Sequence, residues 1–379
     1  KQLATLADGR EPIGALQRFF RENAERFAGL ARHQVTVAED IVRKYDESAG
    51  KSTQRGATGE ATYNVFPIAR TAYRPFDNTP YLPGSSLKGS IRTAWLNRLN
   101  RGAKLTQAEM ASRNKNAALQ QRLLNYSVGK IENDPFRHIG LADAHPEEDT
   151  PPPPTRVLYA ISKKKRLPRD GERIPQELNV FLETIPDAIP TAFLGELRLD
   201  ERGKIDWNAL CDACNGFYKP QLNAELDHAV LGGLLDAEWK RLITGLLGNE
   251  LHDLIEAKQG FLLRIGRHSG AESVTLDGLR DIKILGKQGE QPTYRSNTTQ
   301  KRFASLTKVG ADGLLPFGWI WVDACDDAHR PLSDALRQKL AVRSGALREA
   351  HLDRLLRLEV QQAHRAAAAP HAPPLADRR

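Results

Sequence analysis

Cysteines are scarce in the sequence, and it contains no long hydrophobic run. Its three cysteines, Cys211, Cys214 and Cys325, are too few and odd in number for a disulfide framework, which favours a reducing cytoplasm. Cys211 and Cys214 form one CxxC in a helical pattern with no second ligand pair, so a structural thiol pair is favoured over zinc. No apolar run approaches the roughly 20 residues of a membrane helix, and no signal peptide is evident, so we expect no membrane association.

Aromatic residues are also few, at 7% of the 379 residues. The formal net charge is +8, from 55 Lys and Arg against 47 Asp and Glu. This excess permits a polyanionic partner without requiring one, and an ordinary basic surface is the alternative. Because base stacking would be limited, any nucleic-acid recognition would depend on backbone contacts. No Ser/His/Asp order, metal-spaced histidine set or pair of acids stands out, so no cofactor or metal is expected.

Strand-like and helical segments are mixed in both halves without clean alternation, which predicts an α+β fold with antiparallel sheets. An amphipathic helix is predicted after Pro12, and the segment YNVFPIARTAYRPF is predicted to be an edge or bulged strand because prolines interrupt it. The segment RVLYAIS is a further strand candidate, and "LNVFLETI" and "TAFLGELRL" follow in the second half. Helices are predicted over about residues 207–247.

The stretch LPGSSLKGSIRTAWLNRL places small residues and a lysine directly before an amphipathic helix. Gly84 and Gly89 have the spacing of a P-loop, but Ser90 and Ile91 stand where Lys and Ser/Thr are required, which argues against an ATPase. Ser85 or Ser86 is predicted to cap the helix. The spacing by four predicts a core-facing row that consists of Leu87, Ile91, Trp95 and Leu99.

We call residues 84–89 the first glycine corner. Its glycines would leave backbone N–H groups and a positive helix end accessible, while Lys88 and Arg92 lie four residues apart on a neighbouring face. Exposed amides with two cations suit an extended phosphate backbone better than one small anion. The alternative is a tight turn before an ordinary helix.

Residues 266–270, the second glycine corner, repeat this design after an apolar strand. Gly266 and Gly270 bracket Arg267, His268 and Ser269. His268 is a candidate general base near neutral pH, and His138 has the same status, although a polar contact is the alternative for both. The basic run KKKR, which consists of Lys163, Lys164, Lys165 and Arg166, is either a solvated turn or a phosphate-contacting hairpin.

Four segments in this order, LPGSSLKGSIRTA, DPFRHIGLADA, GFLLRIGRHSGAESVT and LPFGWIWVD, resemble the RAMP superfamily of CRISPR-associated proteins. Within it, the sequence is most similar to the fifth-subunit family of type III-A (Csm) effector complexes. The resemblance implies two ferredoxin-like (RRM-like) units with antiparallel sheets and helical insertions. We expect them at residues 1–166, with the opening strand missing from the sequence, and 167–325, before a helical and disordered tail at 326–379.

The resemblance further implies a subunit that binds guide RNA (crRNA) near its 3′ end, caps the backbone filament and supports crRNA maturation in antiviral defence. The implied partners are guide RNA, the backbone RAMP subunit, the small subunit and a trimming nuclease. The predicted RNA-binding residues are Gly84, Ser85, Ser86, Lys88, Gly89, Arg92, Arg137, Lys163, Lys164, Lys165, Arg166, Gly266, Arg267, His268, Ser269 and Gly270.

Three functions remain open from the sequence. The first is a non-catalytic RNA-binding and assembly subunit, in which case the chain is not an enzyme. The second is a RAMP-type endoribonuclease that works without a metal and uses His268 or His138 as the base. The third is a basic scaffold with no RNA contact. Kinship of fold does not by itself carry activity, which favours the first.

Overall fold

The computed structural model describes residues 12–28, 30–31, 33–55, 61–63, 65–127, 129–148, 150–167, 180–284, 291–325 and 332–368. Helices and strands are interspersed along the chain, so the predicted α+β class is confirmed. The α-helices are α1 (Pro12–Glu22), α2 (Ala24–Ala28), α3 (Glu39–Ser48), α4 (Gly84–Asn100), α5 (Gln107–Ala111), α6 (Lys115–Leu124), α7 (Trp207–Leu226), α8 (Ala237–Gly248), α9 (Glu250–Glu256) and α10 (Asp334–Ala368).

The strands are short except in the centre of the molecule. They are β1 (Thr36–Val37), β2 (Ser52–Arg55), β3 (Ala61–Tyr63), β4 (Ile68–Ala69), β5 (Ile139–Leu141), β6 (Arg156–Lys164), β7 (Phe181–Thr184), β8 (Leu197–Leu199), β9 (Gly260–Arg264), β10 (Ile282–Ile284), β11 (Thr293–Arg295), β12 (Gln300–Ser305), β13 (Leu315–Pro316) and β14 (Trp319–Asp323). The predicted helix after Pro12 and the predicted strand at RVLYAIS are therefore confirmed.

The central sheet has the strand order β13-β12-β6-β7-β4, and β1 pairs with the start of β6. β6 is its axis, since five consecutive residues, 157–161, are buried. The pairs β4–β7 and β1–β6 are parallel, so the sheet is mixed rather than antiparallel throughout. Parallel neighbours need long crossover connections, and each of these pairs is separated by more than a hundred residues of chain. β4 lies at one edge of the sheet, as the prolines on either side of this strand predict.

The longest pairing of the sheet joins β6 to β12, from Tyr159 opposite Ser305 to Lys164 opposite Gln300. The predicted boundary at residue 166 lies between these two strands in the sequence. One sheet thus contains residues from both predicted units. The division into 1–166 and 167–325, and the two ferredoxin-like units themselves, stay predictions.

A second layer consists of α4 and α7, which pack on each other and on the two-stranded sheet β9–β14. Asn215 of α7 fastens the helix to β9, because its side chain donates to Gly260 O (3.0 Å) and accepts from Leu262 N (3.0 Å). Cys211 and Cys214 lie in α7 as predicted, as buried free thiols. Burial raises the pKa of Cys211 to about 12 and that of Cys214 well above its usual value, so neither forms a thiolate near pH 7.

The core face of α4 differs from the predicted row. Leu87 and Ile91 are buried, but Trp95 is only half-buried and Leu99 is 38% exposed. A step of four residues advances about 40° beyond one full turn, so a row at this spacing leaves the core after two or three steps. Ala94 and Leu96 take the remaining core positions.

Helix α10 confirms the helical part of the predicted tail. Leu332, Leu336 and Ser344 are buried against the body, and Arg343 pairs with Asp236 (3.0 Å) and with Asp187. Residues 326–331 and 369–379 of the predicted tail lie outside the described residues. In the part of the chain that the structure describes, no helix is both long and apolar enough to cross a membrane.

Candidate nucleic-acid interface

The first glycine corner is closed by the protein itself. Helix α4 begins at Gly84 with Pro83 as its N-cap, and no side chain of this described segment caps it, so the predicted cap by Ser85 or Ser86 is wrong. The Asp143 carboxylate accepts the Gly84 N–H instead (2.7 Å). A carboxylate at a helix N-terminus also balances the positive end of the helix dipole, which makes a serine cap unnecessary.

Gly84 and Gly89 have different surroundings. A Cβ atom added to Gly84 would lie 2.5 Å from Leu141 O and 2.6 Å from Ala142 O, so glycine is required because the protein's own backbone approaches here. Gly89 is exposed, and a Cβ atom there would meet no described atom within 4 Å. Ser85 is exposed as well. The outward part of the corner therefore consists of Ser85 and Gly89.

The two cations of the first corner contact the segment that precedes and includes β5. Lys88 Nζ donates to Ile139 O (2.6 Å), and Arg92 binds both carboxylate oxygens of Asp134 (2.9 and 3.3 Å). The Arg92 guanidinium also lies 5.0 Å from the centre of the Phe136 ring. Lys88 and Arg92 thus hold this segment on α4, and their RNA contacts stay predictions.

Two further predicted residues, Arg137 and His138, belong to the same segment. Arg137 is exposed, whereas His138 is half-buried beside Gly203. The segment between Asp134 and Ile139 therefore presents one cation outward and uses its carboxylate and its carbonyl to bind α4. The RNA contact of Arg137 also stays a prediction.

The second glycine corner is open. It follows β9 directly, and φ is +77° at Gly266, +68° at His268 and +91° at Gly270. Gly266 and Arg267 are exposed, whereas Ser269 is buried. A Cβ atom added to Gly266 would meet no described atom within 4 Å. The backbone therefore faces solvent at Gly266 and Arg267.

His268 does not have the pKa that the sequence predicts. Its ring lies 5.5 Å from that of Phe317, and its Nε2 atom is buried with no hydrogen-bond partner among the described residues. Burial, followed by the positive charges of Arg302 and Arg267, lowers the pKa of His268 to about 4. The imidazole is therefore neutral at pH 7 and a weaker base than one that titrates near neutrality.

The structure brings the two corners side by side. Ser90, which follows the first corner, donates its hydroxyl to Arg264 O just before the second corner (3.0 Å), across 174 residues of sequence. The Tyr218 hydroxyl of α7 donates to Ser90 O (3.1 Å) and lies 3.4 Å from Ser273 O. Burial raises the pKa of Tyr218 well above its usual value, so the hydroxyl keeps its proton and remains a donor.

The basic run lies beside the second corner. Lys163 Nζ donates to Val309 O (2.9 Å), and Lys165 Nζ binds Glu272 Oε1 (2.8 Å), two residues after Gly270. The same oxygen accepts from the N–H and the hydroxyl of Thr298 (2.8 and 2.6 Å). Burial alone would raise the pKa of Glu272, but the hydrogen bonds from Lys165 and Thr298 outweigh it and lower the pKa to about 2. Glu272 is thus a fixed anion that joins the basic run to the corner.

A groove of about 700 Å³ opens between the end of β6 and the chain that leads into β12. We call it the basic groove, because four of the described lining residues are cations and five are uncharged polar residues. The lining consists of Lys164, Lys165, Arg166, Arg295, Ser296, Asn297, Thr298, Thr299 and Gln300. No local pattern in the sequence indicates the wall from 295 to 300, because only the β6–β12 register places it opposite the basic run.

A buried charge cluster includes Lys301, which follows Gln300 of the groove lining in β12. The Glu225 side chain of α7 is fully buried, and its Oε2 atom accepts from Arg264 (3.1 Å), Lys301 (2.8 Å) and the Trp319 indole (3.0 Å). Burial and the neighbouring Arg264 lower the pKa of Lys301 to about 8 despite Glu225. The cluster links β9, β12, β14 and α7, and no local sequence pattern indicates it. Within the described residues, no group of three or more His, Cys, Asp or Glu is placed to hold a metal ion.

Known proteins resemble this chain in sequence and in structure. The sequence profile of the RAMP superfamily matches residues 68–233, which include the first corner and the basic run. Residues 68–233 therefore match the RAMP superfamily, and the resemblance found in the sequence is confirmed for this region. The match ends before the second corner. No curated protein matches the sequence.

Two solved structures are similar to this chain. One is a chain of a type III-A Csm–crRNA–target RNA ternary complex, with 18% identity, coverage of 70% of this chain and 79% of that chain, and a TM-score of 0.38. The other is T.onnurineus Csm5, with 17% identity, coverage of 69% and 78%, and a TM-score of 0.35.

Proposed function

We propose that this chain is an RNA-binding, non-catalytic subunit of a type III-A CRISPR (Csm) effector complex. The observation that carries the proposal is the RAMP superfamily match over residues 68–233, because it includes the basic run that forms one wall of the basic groove. In this role the chain binds guide RNA near its 3′ end, caps the filament of backbone subunits beside the small subunit, and supports trimming of the guide by a separate nuclease.

The charges support a polyanion as the partner. Four cations line one groove, and the described part of its lining contains no carboxylate group. Lys and Arg that neutralise phosphates release counterions, and this release supplies much of the affinity for nucleic acid. The lining also offers hydroxyl and amide groups that can hydrogen-bond sugar and phosphate oxygens without reading a base.

The binding part of the proposal is tested with the full chain and a labelled guide RNA. We expect fluorescence anisotropy to show affinity that falls linearly with salt on a double logarithmic plot between roughly 50 and 300 mM. Effector complexes reconstituted without the chain should carry guides with altered 3′ ends. No RNA binding at low salt would reject the proposal.

The non-catalytic part has its own test. The endoribonuclease alternative uses His268 or His138 as the base, and the neutral ring of His268 has a buried, unpartnered Nε2 atom among the described residues. We expect a guide precursor to remain intact when incubated with the purified chain in EDTA. Cleavage that is lost in His268→Ala or in His138→Ala, but kept in the exposed control His252→Ala, would overturn the non-catalytic role.

A further inference from the structure

We infer that the turn at residues 73–80, which we call the aromatic turn, inserts Phe76 into an apolar pocket of another protein subunit of the effector complex. Phe76 is 80% exposed, although phenylalanine is among the residue types that are most often buried. The turn follows β4, which lies at the edge of the central sheet opposite β13. The inference rests on the proposed function and assigns a protein contact to a surface that the basic groove does not include.

Hydrogen bonds within the aromatic turn close it. The Arg74 N–H donates to Thr79 O (2.9 Å), and Arg74 O accepts from Asn78 N (2.8 Å). The Asp77 carboxylate accepts from Thr79 N (2.9 Å) and pairs with the Arg74 guanidinium (2.5 Å). Because the turn is held in this way, it presents Phe76 in a preorganised position. Less conformational entropy is then lost when a partner binds the ring.

The segment that contains Phe76 is rich in exposed apolar side chains. Within residues 65–76, Val65 is 65% exposed and Ile68 of β4 is 45% exposed. Single exposed apolar residues are common on protein surfaces, whereas a group of them marks an interaction site. Phe76 extends from a tight turn, so a concave surface suits it better than a flat one. One buried aromatic side chain removes roughly 150–250 Å² from water, which makes the ring the main anchor.

The charges around the aromatic turn favour a protein over RNA as the partner. Arg70, which follows β4, binds the Glu183 carboxylate (2.7 Å), and Arg74 binds that of Asp77. Each of these cations is therefore matched by one carboxylate, whereas a phosphate backbone gains affinity from unmatched cations that release counterions. The Arg74 guanidinium also lies 5.1 Å from the centre of the Phe76 ring. An aromatic ring beside an arginine is the composition of the residues that dominate protein interfaces.

The test measures how tightly the full chain binds a guide-loaded effector complex that was assembled without it. For Phe76→Ala we expect at least about tenfold weaker binding, since truncation of a central aromatic anchor has effects of this size. The melting temperature should not change, because the side chain is exposed. The control Phe20→Ala makes the same change at another exposed phenylalanine and should alter the affinity less than about threefold.

A second variant tests the preorganisation of the turn. Asp77→Ala keeps the ring but removes the hydrogen bond to Thr79 N and the pair with Arg74. We expect it to bind the complex roughly threefold more weakly, because the turn must then be ordered on binding. An affinity equal to that of the unmodified chain would contradict a preorganised anchor.

The outcomes separate the inference from the proposed function. If the unmodified chain joins the complex and Phe76→Ala binds as tightly, the inference is wrong and the proposed function stands. If the unmodified chain does not bind the complex, both fail. If Phe76→Ala instead weakens binding of the isolated chain to an unstructured RNA, the ring stacks on a base and the assigned partner is wrong. Equal losses in Phe76→Ala and Phe20→Ala would overturn the assignment to this turn.

Discussion

The two glycine corners resemble each other in sequence and differ in what lies against them. At the first corner, Gly84 is buried under the backbone of residues 141–142 and its N–H is bound by Asp143. At the second corner, Gly266 is exposed, has positive φ and faces solvent. A glycine allows another group to approach closely, but that group can be the protein's own backbone as readily as a ligand.

The cations of the two corners also differ. Lys88 and Arg92 are bound to the segment before and at β5, so they stabilise the first corner. The second corner lies beside the basic groove, and Arg264, two residues before Gly266, is bound by Glu225. The second corner, rather than the first, therefore lies next to a groove lined by four cations.

The largest effect is expected from removing the buried carboxylate of Glu225. Glu225→Ala leaves Arg264 and Lys301 buried without their anion, which should lower the free energy of unfolding by about 3–5 kcal/mol. Urea unfolding measures it. The control Glu196→Ala breaks an exposed pair with Arg198 and should cost less than ~1 kcal/mol. Similar losses in the two variants would show that the cluster does not stabilise the second corner.

The next contrast lies inside the first corner. Gly84→Ala places a methyl group against two carbonyl oxygens and should lower the free energy of unfolding by about 2 kcal/mol or more. Gly89→Ala, at an open position in the same helix, should instead raise it by up to ~1 kcal/mol, because alanine is the better helix former. Thermal unfolding of both proteins checks the signs. Equal effects would contradict the different surroundings of the two glycines.

The cations of the first corner can be tested by Lys88→Ala/Arg92→Ala. Loss of the partly buried Arg92–Asp134 pair and of the Lys88 hydrogen bond should lower the free energy of unfolding by about 2 kcal/mol. We expect the salt slope of RNA binding to stay nearly unchanged, because both cations are bound within the chain. A slope smaller by about 1.4 would instead support the phosphate contacts predicted from the sequence, at ~0.7 for each contact. Stability and slope are measured on the same protein.

The smallest effect concerns pH at the second corner. The pKa of His268 is about 4 in the folded chain, against a usual value of 6.5, so the unfolded chain binds a proton between these pH values and the folded chain does not. Stability from this group is therefore full above pH 6.5 and is lost as the pH falls towards 4. His268→Asn, which tolerates the positive φ, should reduce the loss of stability on acidification. Identical pH profiles for the two proteins would contradict the shifted pKa.

Local features of the fold could be predicted well. The helix after Pro12, the strand at β6, the edge position of β4 and the helical CxxC all follow from neighbouring residues and are observed. The errors occur where a distant residue takes over a local role. Asp143 replaces the predicted serine cap. The core-facing row of α4 differs for a local reason, because a row spaced by four residues drifts around the helix and brings Leu99 to the surface. For His268, the sequence predicts a base near neutral pH, but burial, followed by the charges of Arg302 and Arg267, lowers its pKa.

The α+β class, the positions of the two corners and of the basic run, and the RAMP superfamily pattern over residues 68–233 all follow from the amino-acid sequence. These features depend on side-chain types and spacing within short windows, where propensity and periodicity act. Only the tertiary structure decided that Lys165 binds Glu272, 107 residues away, and that Arg295 and Lys164 line one groove. A charged side chain binds whichever opposite charge or carbonyl the fold brings within hydrogen-bond distance. Here the register between strands that are distant in the sequence sets that distance.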